Sequence, residues 1–555
     1  MSSLERVYVM QRVCAVVPVV MSAVLAGGVS AQPVVVAVVG QPVPGVQDGT
    51  HDRLFSPVVT DDGVVHFITD MDIQPPGSSL SEERGVVSYD AGVSWLTVSS
   101  IGTLPGSSVS MDNGGFTFAV ARAGLSSGLV LSIDDGVTND QLFVSVQGGS
   151  TEILLRDDAP MPLGGGTAMI TPNQPPEIND AGQVVATGEV NPGREPFALL
   201  FDPVTGVEAV ALDSGFGAFS MNSPFETPSV NSSGKVLLRA RDGSDVVLLG
   251  YESGSLATVV SAAGAFGELS DGVTGDDGSV AFQGLFRDAS NNTDRGLFVE
   301  RGGSFSGLVT GMPAPQTLGG TLGEISVVTA TSQVEALSQG RYAVGLRTMN
   351  EPNGSGGSRV GQGVFITDGQ TDLAAVRQYE AADGGGVFDV ASFTINWTSG
   401  TEGHVLHRTN ITRDGQFVRA AFRSVPGVGS ERLIEVGESV MVDGVLREVT
   451  GIERPEPRRS SAGQVNASGD AVLLVTLEDV GTALLLFPNG DQRCPADVNG
   501  DGTLNDSDFF AWVTAFVSDP RTAEQEEACD VNRDGSCSDS DFFAWVTEFI
   551  GAGCG

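Results

Sequence analysis

One short pattern recurs eight times along the chain and constrains its fold more than any other feature. It consists of a polar or small residue, two turn residues, a glycine and an alternating apolar run, as in Asn179-Asp180-Ala181-Gly182 before Val184. Glycine takes positive φ without steric cost, and Asn or Asp bonds to its own backbone, so each copy predicts a tight turn entering a strand. The copies lie at residues 60–63, 111–114, 179–182, 231–234, 275–278, 337–340, 412–415 and 466–469.

The spacing of the copies sets the size of the repeating unit. Successive glycines lie 44 to 75 residues apart, which is long for one hairpin and fits a four-stranded propeller blade with variable loops. Residues between the alternating apolar positions are often apolar too, as at Val185 and Leu237, and such strands belong between two packed layers. We therefore predict an all-β, β-propeller-like repeat domain of seven to eight blades; an irregular pair of β-sandwiches is the alternative.

The composition agrees with an exported β protein and argues against two classes of partner. The 555 residues include 74 glycines, and 69 acidic against 29 basic residues give a formal net charge of −40. Binding to phosphates needs clustered Lys and Arg, so nucleic acid is excluded as the default partner, and the charge also opposes docking on anionic lipid. With 41% hydrophobic residues, the chain can bury a core.

The first 31 residues have the features of a secretory signal peptide. Arg6 and Arg12 give a positive start, Val13 to Leu25 is mostly apolar, and Val29-Ser30-Ala31 is a small-residue cleavage site. The apolar run is shorter than the ~20 residues that a membrane span needs, which favours cleavage after Ala31 over a retained anchor. The predicted organisation is a signal peptide at 1–31, the repeat domain at 32–488 and a small module at 489–555, with no transmembrane span after cleavage.

The C-terminal module contains a tandem duplication. Residues 506–514 recur unchanged as residues 539–547, and an oxygen-rich twelve-residue loop overlaps the start of each copy. Loop positions 1, 3 and 5 are Asp, Asn and Asp, position 6 is Gly and position 12 is Asp, which is the EF-hand arrangement of hard oxygen ligands. The sequence thus predicts two Ca²⁺ sites. Their ligands would be Asp497, Asn499, Asp501, Thr503, Asn505 and Asp508, and Asp530, Asn532, Asp534, Ser536, Ser538 and Asp541.

The two loops resemble the duplicated calcium loops of dockerin modules, because position 12 is Asp rather than Glu and a single helix follows each loop. The cysteine near the start of the module and the terminal Gly-Cys are similar to the dockerin-type anchors of some exported bacterial proteins. The resemblance implies that loop positions 10 and 11, Asp506-Ser507 and Asp539-Ser540, and the following helix form a partner face. The implied partner is a cohesin-like receptor or a surface-sorting system.

Each loop is predicted to lead into a short amphipathic helix. Phe509, Trp512, Val513 and Phe516 form one apolar stripe, and Phe542, Trp545, Val546 and Phe549 repeat it. The stripe could serve as the partner face or as the core of the module. Thirteen acids and two arginines give residues 494–555 a charge of −11, so we expect the loops to repel themselves until calcium binds and calcium to be coupled to folding.

The cysteines of the exported chain are confined to this module. Cys494, Cys529, Cys537 and Cys554 are an even set in a small exported domain, which suggests disulfides with three possible pairings. We favour Cys494 with Cys554, joining the two ends of the module, and Cys529 with Cys537, closing a short loop. A zinc site is the alternative, although the module contains neither His nor a C-x-x-C motif.

Two further resemblances concern the repeat domain. Residues 88–95, with Ser88, Asp90, Gly92 and Trp95, fit S-x-D-x-G-x-x-W and resemble the Asp-box of sialidase-like propellers; residues 132–138 match all but the aromatic. The eight-fold pattern is similar to the NxxGxxAF tandem repeats of exported choice-of-anchor bacterial proteins, with the Asn at 179, 231 and 466 and the Ala-Phe pair at 281–282. Both resemblances imply architecture and assign no activity.

The sequence contains little that indicates catalysis. His404 and His407 are three apart in a predicted strand and so would face opposite sides, and G-x-S-x-G, H-E-x-x-H and P-loop motifs are absent. Tyr379-Glu380 is better explained as a loop than as a nucleophile pair, and 422–426 only loosely matches the arginine-bearing strand of sialidases.

Two functions therefore remain open from the sequence. We favour a non-catalytic exported propeller that binds a glycan or protein ligand and is displayed through its calcium module. The alternative is a secreted carbohydrate-active enzyme, a polysaccharide hydrolase or lyase, carried by a dockerin. Two or three acids converging with Arg or Tyr at the mouth of the propeller would favour the enzyme.

Overall fold

The computed structural model describes residues 33–489 and 506–517, with gaps in the first range. These gaps are residues 74–80, 91, 100–111, 123–127, 135–140, 148–149, 163–165, 171–175, 194, 213–218, 222–227, 243–244, 263–265, 288–292, 317–320, 327–333, 353–357, 384, 386, 389–395 and 456–461. The chain divides into two compact units, Val34–Asn489 and Met1–Pro33 with Gly490–Gly555. Of the second unit, the structure describes the helix α1, Asp506–Val517.

The first unit is an eight-bladed β-propeller. Its strands form eight antiparallel sheets that follow one another along the chain. Blade 1 contains β2 (Gly49–Val59), β3 (Val65–Ile73), β4 (Ser81–Asp90) and β5 (Val93–Ser99). Blade 2 contains β6 (Asp112–Val120), β7 (Leu129–Asp134), β8 (Gln141–Gln147) and β9 (Ser150–Arg156). Blade 3 contains β10 (Thr167–Met169), β11 (Glu177–Ile178), β12 (Val184–Asn191), β13 (Glu195–Asp202) and β14 (Gly206–Leu212).

The next three blades repeat the same meander. Blade 4 contains β15 (Phe219–Met221), β16 (Ser229–Val230), β17 (Val236–Asp242), β18 (Asp245–Glu252) and β19 (Ser255–Ser261). Blade 5 contains β20 (Phe266–Thr274), β21 (Val280–Arg287), β22 (Thr293–Arg301) and β23 (Ser304–Val309). Blade 6 contains β24 (Pro313–Pro315), β25 (Thr321–Ile325), β26 (Val334–Ala336), β27 (Tyr342–Pro352), β28 (Ser358–Thr367) and β29 (Asp372–Arg377), with a 3₁₀ turn at Ser338–Gly340.

The last two blades complete the circle. Blade 7 contains β30 (Val387–Phe388), β31 (Asn396–Ser399), β32 (Val405–Arg413), β33 (Gln416–Val425) and β34 (Gly429–Glu435). Blade 8 contains β35 (Ser439–Val442), β36 (Val445–Ile452), β37 (Ala471–Leu477), β38 (Gly481–Phe487) and β1 (Val34–Val38). The prediction of an all-β propeller is thus confirmed, with eight blades.

The two ends of the propeller chain meet in blade 8. The N-terminal strand β1 pairs antiparallel with β38, with Val34 opposite Leu486 and Val38 opposite Ala483. In the other blades the fourth strand follows the third directly along the chain, whereas here it comes from the start of the domain. This pairing satisfies an edge that would otherwise expose a row of backbone donors and acceptors, and it joins the first blade to the last.

The core is divided among the interfaces between blades. In the described part of the chain, eight apolar clusters each join two neighbouring blades. On β12, Val184 and Ala186 pack toward blade 2 while Val185 packs toward blade 4. The predicted strands with two apolar faces are therefore explained, because each blade is covered on both sides by another blade.

Six copies of the repeated turn lie where the first strand of a blade turns into the second. These are the copies beginning at residues 60, 179, 231, 275, 337 and 466. In each of them the first residue donates its backbone N–H to the carbonyl four positions later, as Asn179 does to Gln183 at 3.1 Å. The glycine at position 4 adopts positive φ, for example +75° at Gly182.

Of the two remaining copies, one is a turn at a different place in its blade and the other is not a turn. Asp414 and Gly415 form the hairpin between β32 and β33, and the equivalent turn of blade 7 is Gly400–Gly403. The residues from Asp112 to Gly114 belong to strand β6, and at the equivalent place in blade 2 the N–H of Ala121 donates to the Gly128 carbonyl at 3.1 Å; Met111 lies outside the described residues. The sequence could not distinguish these sites, because any turn with positive φ before an apolar strand favours the same residues.

The asparagine at position 1 of the turn connects neighbouring blades. Its Oδ1 accepts backbone N–H groups of its own turn, and its Nδ2 donates to the position 1 carbonyl of the next blade. Asn179 donates to the Asn231 carbonyl at 2.6 Å, and Asn231 donates to the Gly275 carbonyl at 2.8 Å. Asn466 donates to the Thr60 carbonyl at 2.9 Å, which links blade 8 to blade 1 across 406 positions of sequence.

We predict that Asn466→Ala lowers the free energy of unfolding by about 2–4 kcal/mol, because it removes three buried hydrogen bonds, with the Thr60 carbonyl, the Asp470 N–H and the Asp470 carboxylate. Urea unfolding followed by fluorescence measures the change. Asp368→Ala is the matched control, because Asp368 accepts N–H groups of Gln370 and Thr371 within its own exposed turn. We expect the control to lose less than about 1 kcal/mol. Equal losses in the two variants would contradict a role in ring closure.

Candidate functional site

The turns that connect the first and second strands gather at one end of the propeller and form its mouth. We call their position 2 residues the mouth ring. In blade order the mouth ring consists of Asp61, Arg122, Asp180, Ser232, Asp276, Ser338, Thr401 and Ala467. Three acids and one arginine from four different blades are thus brought to one opening.

Backbone groups of the mouth ring are bonded from blade to blade. The N–H of Asp61 donates to the Arg122 carbonyl at 2.6 Å, and the N–H of Ser338 donates to the Thr401 carbonyl at 2.8 Å. Elsewhere a carboxylate takes the place of the carbonyl: Asp276 Oδ1 accepts the N–H of Ser232 at 2.9 Å. Asp61 Oδ1 accepts the N–H of Ala467 at 2.8 Å in the same way. Two of the three acids therefore have a structural task.

Arg122 spans the opening. Its Nη2 donates to the carbonyl of Ala336 at 2.9 Å, and these residues belong to blades 2 and 6, which lie opposite each other in a ring of eight. Beside the arginine is a small polar cleft, bordered by turn residues of blades 2 to 6, among them Asn179, Asp180, Asn231 and Asp276. Its enclosed space is large enough for about one water molecule.

The acids of the mouth ring differ in their surroundings. Burial raises the pKa of the Asp61 carboxyl and the charge of Asp180 adds to this effect, while the Ala467 N–H, Arg122 and the Thr401 hydroxyl act against it. A carboxyl with a raised pKa beside an arginine is a chemical feature that active sites share. The convergence of acids with an arginine at the mouth is also the arrangement that was expected to favour an enzyme.

The predicted calcium ligands lie outside the residues whose side chains are described. The structure confirms the helix that was predicted after the first loop, since α1 covers residues 506–517. On α1, Trp512 is buried and its ring stacks on Phe516 with 4.8 Å between centroids, whereas Phe510 is exposed. Within the described ranges, no three His, Cys, Asp or Glu side chains are placed to hold a metal ion.

Three of the histidines hydrogen-bond to neighbouring groups of the propeller. His407 bonds through Nε2 to the Ser424 hydroxyl at 2.8 Å, while His404 bonds through Nδ1 to the Ala467 carbonyl of blade 8 at 3.1 Å. His66 bonds through Nδ1 to the Ser88 hydroxyl at 2.8 Å. Burial lowers the pKa of His66 to about 4 and that of His407 to about 3, so both rings are neutral at pH 7.

The remaining candidates also have structural roles. Tyr379 donates its hydroxyl to the Val360 carbonyl at 2.9 Å. Arg423 is buried, pairs with Glu431, and donates to the Gly469 carbonyl at 2.8 Å. In residues 88–95, Ser88 of β4 stands opposite Trp95 of β5, and Asp90 stands opposite Val93. No helix in the described part of the chain is long and apolar enough to span a membrane.

Two family models match parts of the chain. Residues 495–548 match the dockerin type I domain, which supports the predicted dockerin-like module. Residues 15–199 match a family of unknown function, DUF7453. No curated protein matches the chain.

Solved structures with a similar chain path include two of low sequence identity. The β-propeller domain of the Trilobed protease from Pyrococcus furiosus is 11% identical, with 69% of this chain and 97% of that chain covered and a TM-score of 0.36. The polysaccharide lyase Uly1 is 12% identical, with 83% and 100% covered and a TM-score of 0.30. At these TM-scores the similarity carries no information about function.

We predict that acid destabilises the propeller well above the pKa range of carboxyl groups. The ordinary pKa of His is 6.5, so both rings are protonated below about pH 6.5 in the unfolded chain. In the folded chain the ring of His66 stays neutral down to about pH 4 and that of His407 down to about pH 3. Stability is therefore complete above pH 6.5 and falls as the pH decreases below it, by up to about 1.4 kcal/mol per pH unit for each histidine. Urea midpoints between pH 7.5 and 5 measure the decline.

The imidazole resonances provide the control for this prediction. In NMR spectra of the folded chain, the rings of His66 and His407 should keep their neutral-state shifts down to pH 5. A constant urea midpoint across this range, or titration of either ring near pH 6.5, would contradict the assignment of these histidines as buried neutral groups.

Proposed function

We propose that the chain is an extracellular or cell-surface protein whose propeller is attached to a larger assembly through a dockerin-like calcium module. The observation that carries the proposal is that the family match and the two predicted calcium loops fall on the same residues. The dockerin type I match covers 495–548, and within that range lie both oxygen-rich loops, 33 positions apart. Dockerin domains bind Ca²⁺ and cohesins, and the loop chemistry suits the first of these roles.

Two calcium ions would occupy the module. In the first loop, the side chains of Asp497, Asn499, Asp501 and Asp508 would supply oxygen ligands, with the Thr503 carbonyl and Asn505 completing the shell. In the second loop the corresponding residues are Asp530, Asn532, Asp534, Ser536, Ser538 and Asp541. Residues 494–555 carry a charge of −11, so bound calcium would relieve repulsion that otherwise opposes folding.

The partner of the module would be a cohesin-like receptor or surface-sorting machinery. Asp506-Ser507 and Asp539-Ser540 are the proposed contact positions, and the exposed Phe510 of α1 lies close to the first pair in sequence. Export would use a cleaved signal peptide at 1–31. The choice-of-anchor assignment, the domain limits 32–488 and 489–555, and the disulfides Cys494–Cys554 and Cys529–Cys537 belong to the same proposal.

We predict that a calcium chelator loosens the module and leaves the propeller intact. Limited proteolysis of the full chain, with fragments mapped by mass spectrometry, should give new cuts within 490–555 in excess EDTA, because unliganded loops repel themselves. Residues 33–489 should persist as a resistant fragment. Unchanged protease resistance of the C-terminal residues in EDTA would contradict the proposed coupling of calcium to folding.

A matched pair of double variants separates calcium binding from partner binding. Asp508→Asn with Asp541→Asn removes the closing ligand of both loops and should weaken calcium binding by at least about tenfold in calorimetry, since even outer-shell changes cost that much. Asp506→Asn with Asp539→Asn removes the same charge beside the ligands. This second pair should keep calcium affinity and weaken capture by a panel of immobilised cohesins. Equal calcium affinities of the two pairs would contradict the ligand assignment.

A second candidate function is a carbohydrate-active enzyme carried by the same module. It is favoured by the presence of Asp61, Asp180 and Asp276 with Arg122 in the mouth ring; of the three acids, Asp180 and Asp276 border the polar cleft. Asp61 would then be the proton-transferring group, because burial raises the pKa of its carboxyl. Against it stands the structural use of Asp61 and Asp276 as acceptors from neighbouring turns.

A polysaccharide panel decides between the two candidates. We expect no release of reducing ends or unsaturated sugars from acidic and neutral polysaccharides, together with retention of the protein on a glycan array. Sugar release that is abolished by Asp61→Asn, in a variant with unchanged urea midpoint, would establish the enzyme and overturn the non-catalytic function.

A further inference from the structure

The arginines of the propeller are concentrated in blades 7 and 8. Residues 405–459 contain nine arginines and eight acids, so this segment carries +1 in a chain of net charge −40. Several of these arginines are paired. Arg413 reaches Glu435 at 3.0 Å, Arg432 reaches Glu435 at 2.7 Å, and Arg423 pairs with Glu431. Within the acidic background, each of them is explained by a carboxylate partner.

Three other arginines lie together without such partners. Among the described residues, no carboxylate is within salt-bridge distance of Arg408, Arg419 or Arg454. Arg419 stands opposite Asn410 in the pairing of β32 with β33, and Arg408 precedes Asn410 by two positions. Because side chains two apart on a strand share a face, Arg408, Asn410 and Arg419 lie on one face of blade 7.

This face of blade 7 is turned toward blade 8. Leu406 and Ala421, which continue the same two rows of side chains, belong to the apolar cluster between the two blades. Arg408 Nη1 donates to the carbonyl of Ile452 in β36 of blade 8 at 2.7 Å, and Arg454 follows two residues later. Arg419 and Arg454 are exposed, whereas Arg408 is half-buried. Two blades thus present three guanidinium groups at one interface.

The electrostatics of Arg408 agree with this arrangement. Its pKa is lowered from the usual range first by burial and then by the positive charges of Arg419 and Arg454, with the Glu453 carboxylate acting in the opposite direction. The positive charges of the three arginines repel one another, which raises the free energy of the folded chain. A bound anion would offset this repulsion.

An exposed aromatic ring lies on the same row of side chains. Phe417 is two positions before Arg419 on β33, so both side chains share a face, and Phe417 is 63% exposed. A flat apolar ring beside guanidinium groups suits a sugar ring that carries an acidic substituent, since the ring can stack while the anion binds arginine. The Asn410 amide adds a group that can bond to a hydroxyl.

We propose that Arg408, Arg419 and Arg454, with Asn410 and Phe417, bind the sulfate or carboxylate groups of an acidic polysaccharide. Both oxyanions fit arginine forks, so the site recognises their shared chemistry. A nucleic acid suits it less well, because affinity for a phosphate backbone comes from an extended row of Lys and Arg, whereas this face offers three arginines with one aromatic ring and one amide. The proposal rests on the part of the proposed function in which the propeller binds a ligand, and it does not involve the calcium module.

The test measures binding of the full chain to immobilised dextran sulfate, with unsulfated dextran as the reference polymer. We expect binding that requires sulfation and weakens with added NaCl. The double variant Arg419→Gln with Arg454→Gln changes two exposed side chains, so it should fold normally and bind about tenfold more weakly, as the loss of two charge-assisted contacts implies. Arg413→Gln is the matched control on the same blade, and its affinity should equal that of the unaltered protein.

Further arms identify the ligand. Phe417→Ser should weaken binding of dextran sulfate and leave competition by inorganic sulfate unchanged, and heparin with its carboxylates should compete. Equal affinity of the double variant and the control would overturn the proposal. So would binding of inorganic sulfate as tight as that of the polymer, or tighter binding of single-stranded DNA. All binding measurements are made both with calcium and with EDTA. Binding that persists in EDTA supports the site, even if the predictions for the calcium module are wrong. Binding that is lost in EDTA contradicts the site.

Discussion

The bond from the Asn466 side-chain amide to the Thr60 carbonyl is the interaction on which the closed ring depends most directly. A propeller is a chain of similar wedges, and nothing covalent holds the last wedge against the first. Equivalent bonds at Asn179 and Asn231 connect blades that are already neighbours in sequence, so closing these shorter loops costs less chain entropy. The bond at Asn466 acts across 406 positions, together with the pairing of β1 and β38. These two contacts fasten the ring at its inner and outer edges.

The same turns that close the ring also form its mouth. In the turns of blades 3, 4 and 8 the asparagine at position 1 bonds to the next blade, and position 2 residues such as Arg122, Asp180 and Asp276 border the cleft in the mouth. The repeated turn therefore both joins the blades and lines the mouth. The Asp61 carboxylate has both roles, because it bonds to blade 8 and belongs to the mouth ring. Its carboxylate holds the N–H of Ala467 and lies near Arg122, which itself reaches the opposite blade. This double use explains why a cluster that has the composition of an active site can be structural.

Charge is distributed according to task. The 62 residues of the C-terminal module carry a charge of −11, which the two calcium ions would offset. Most other acids are spread over the propeller, whose described apolar clusters lie between blades. Against this background, residues 405–459 of blades 7 and 8 carry +1, and their three clustered arginines stand out. The composition argument that excluded nucleic acid thus holds for the chain as a whole and leaves room for one small oxyanion site.

The sequence by itself determined the all-β class, the blade-sized repeat and the helix after the first oxygen-rich loop. It could do so because these depend on local rules: positive φ at Gly182, two-sided apolar strands such as β12, and helical spacing from Phe509 to Phe516. It could not fix the blade count, because in blade 2 the corresponding bond joins Ala121 to Gly128, which are seven positions apart instead of four, and blade 7 has Gly400 in place of Asn. Only the tertiary structure decided that Val34–Val38 completes blade 8, that Arg122 crosses the mouth, and that Arg408, Arg419 and Arg454 meet. Each of these depends on strand register and ring closure, which bring together residues whose separation in sequence carries no local signal.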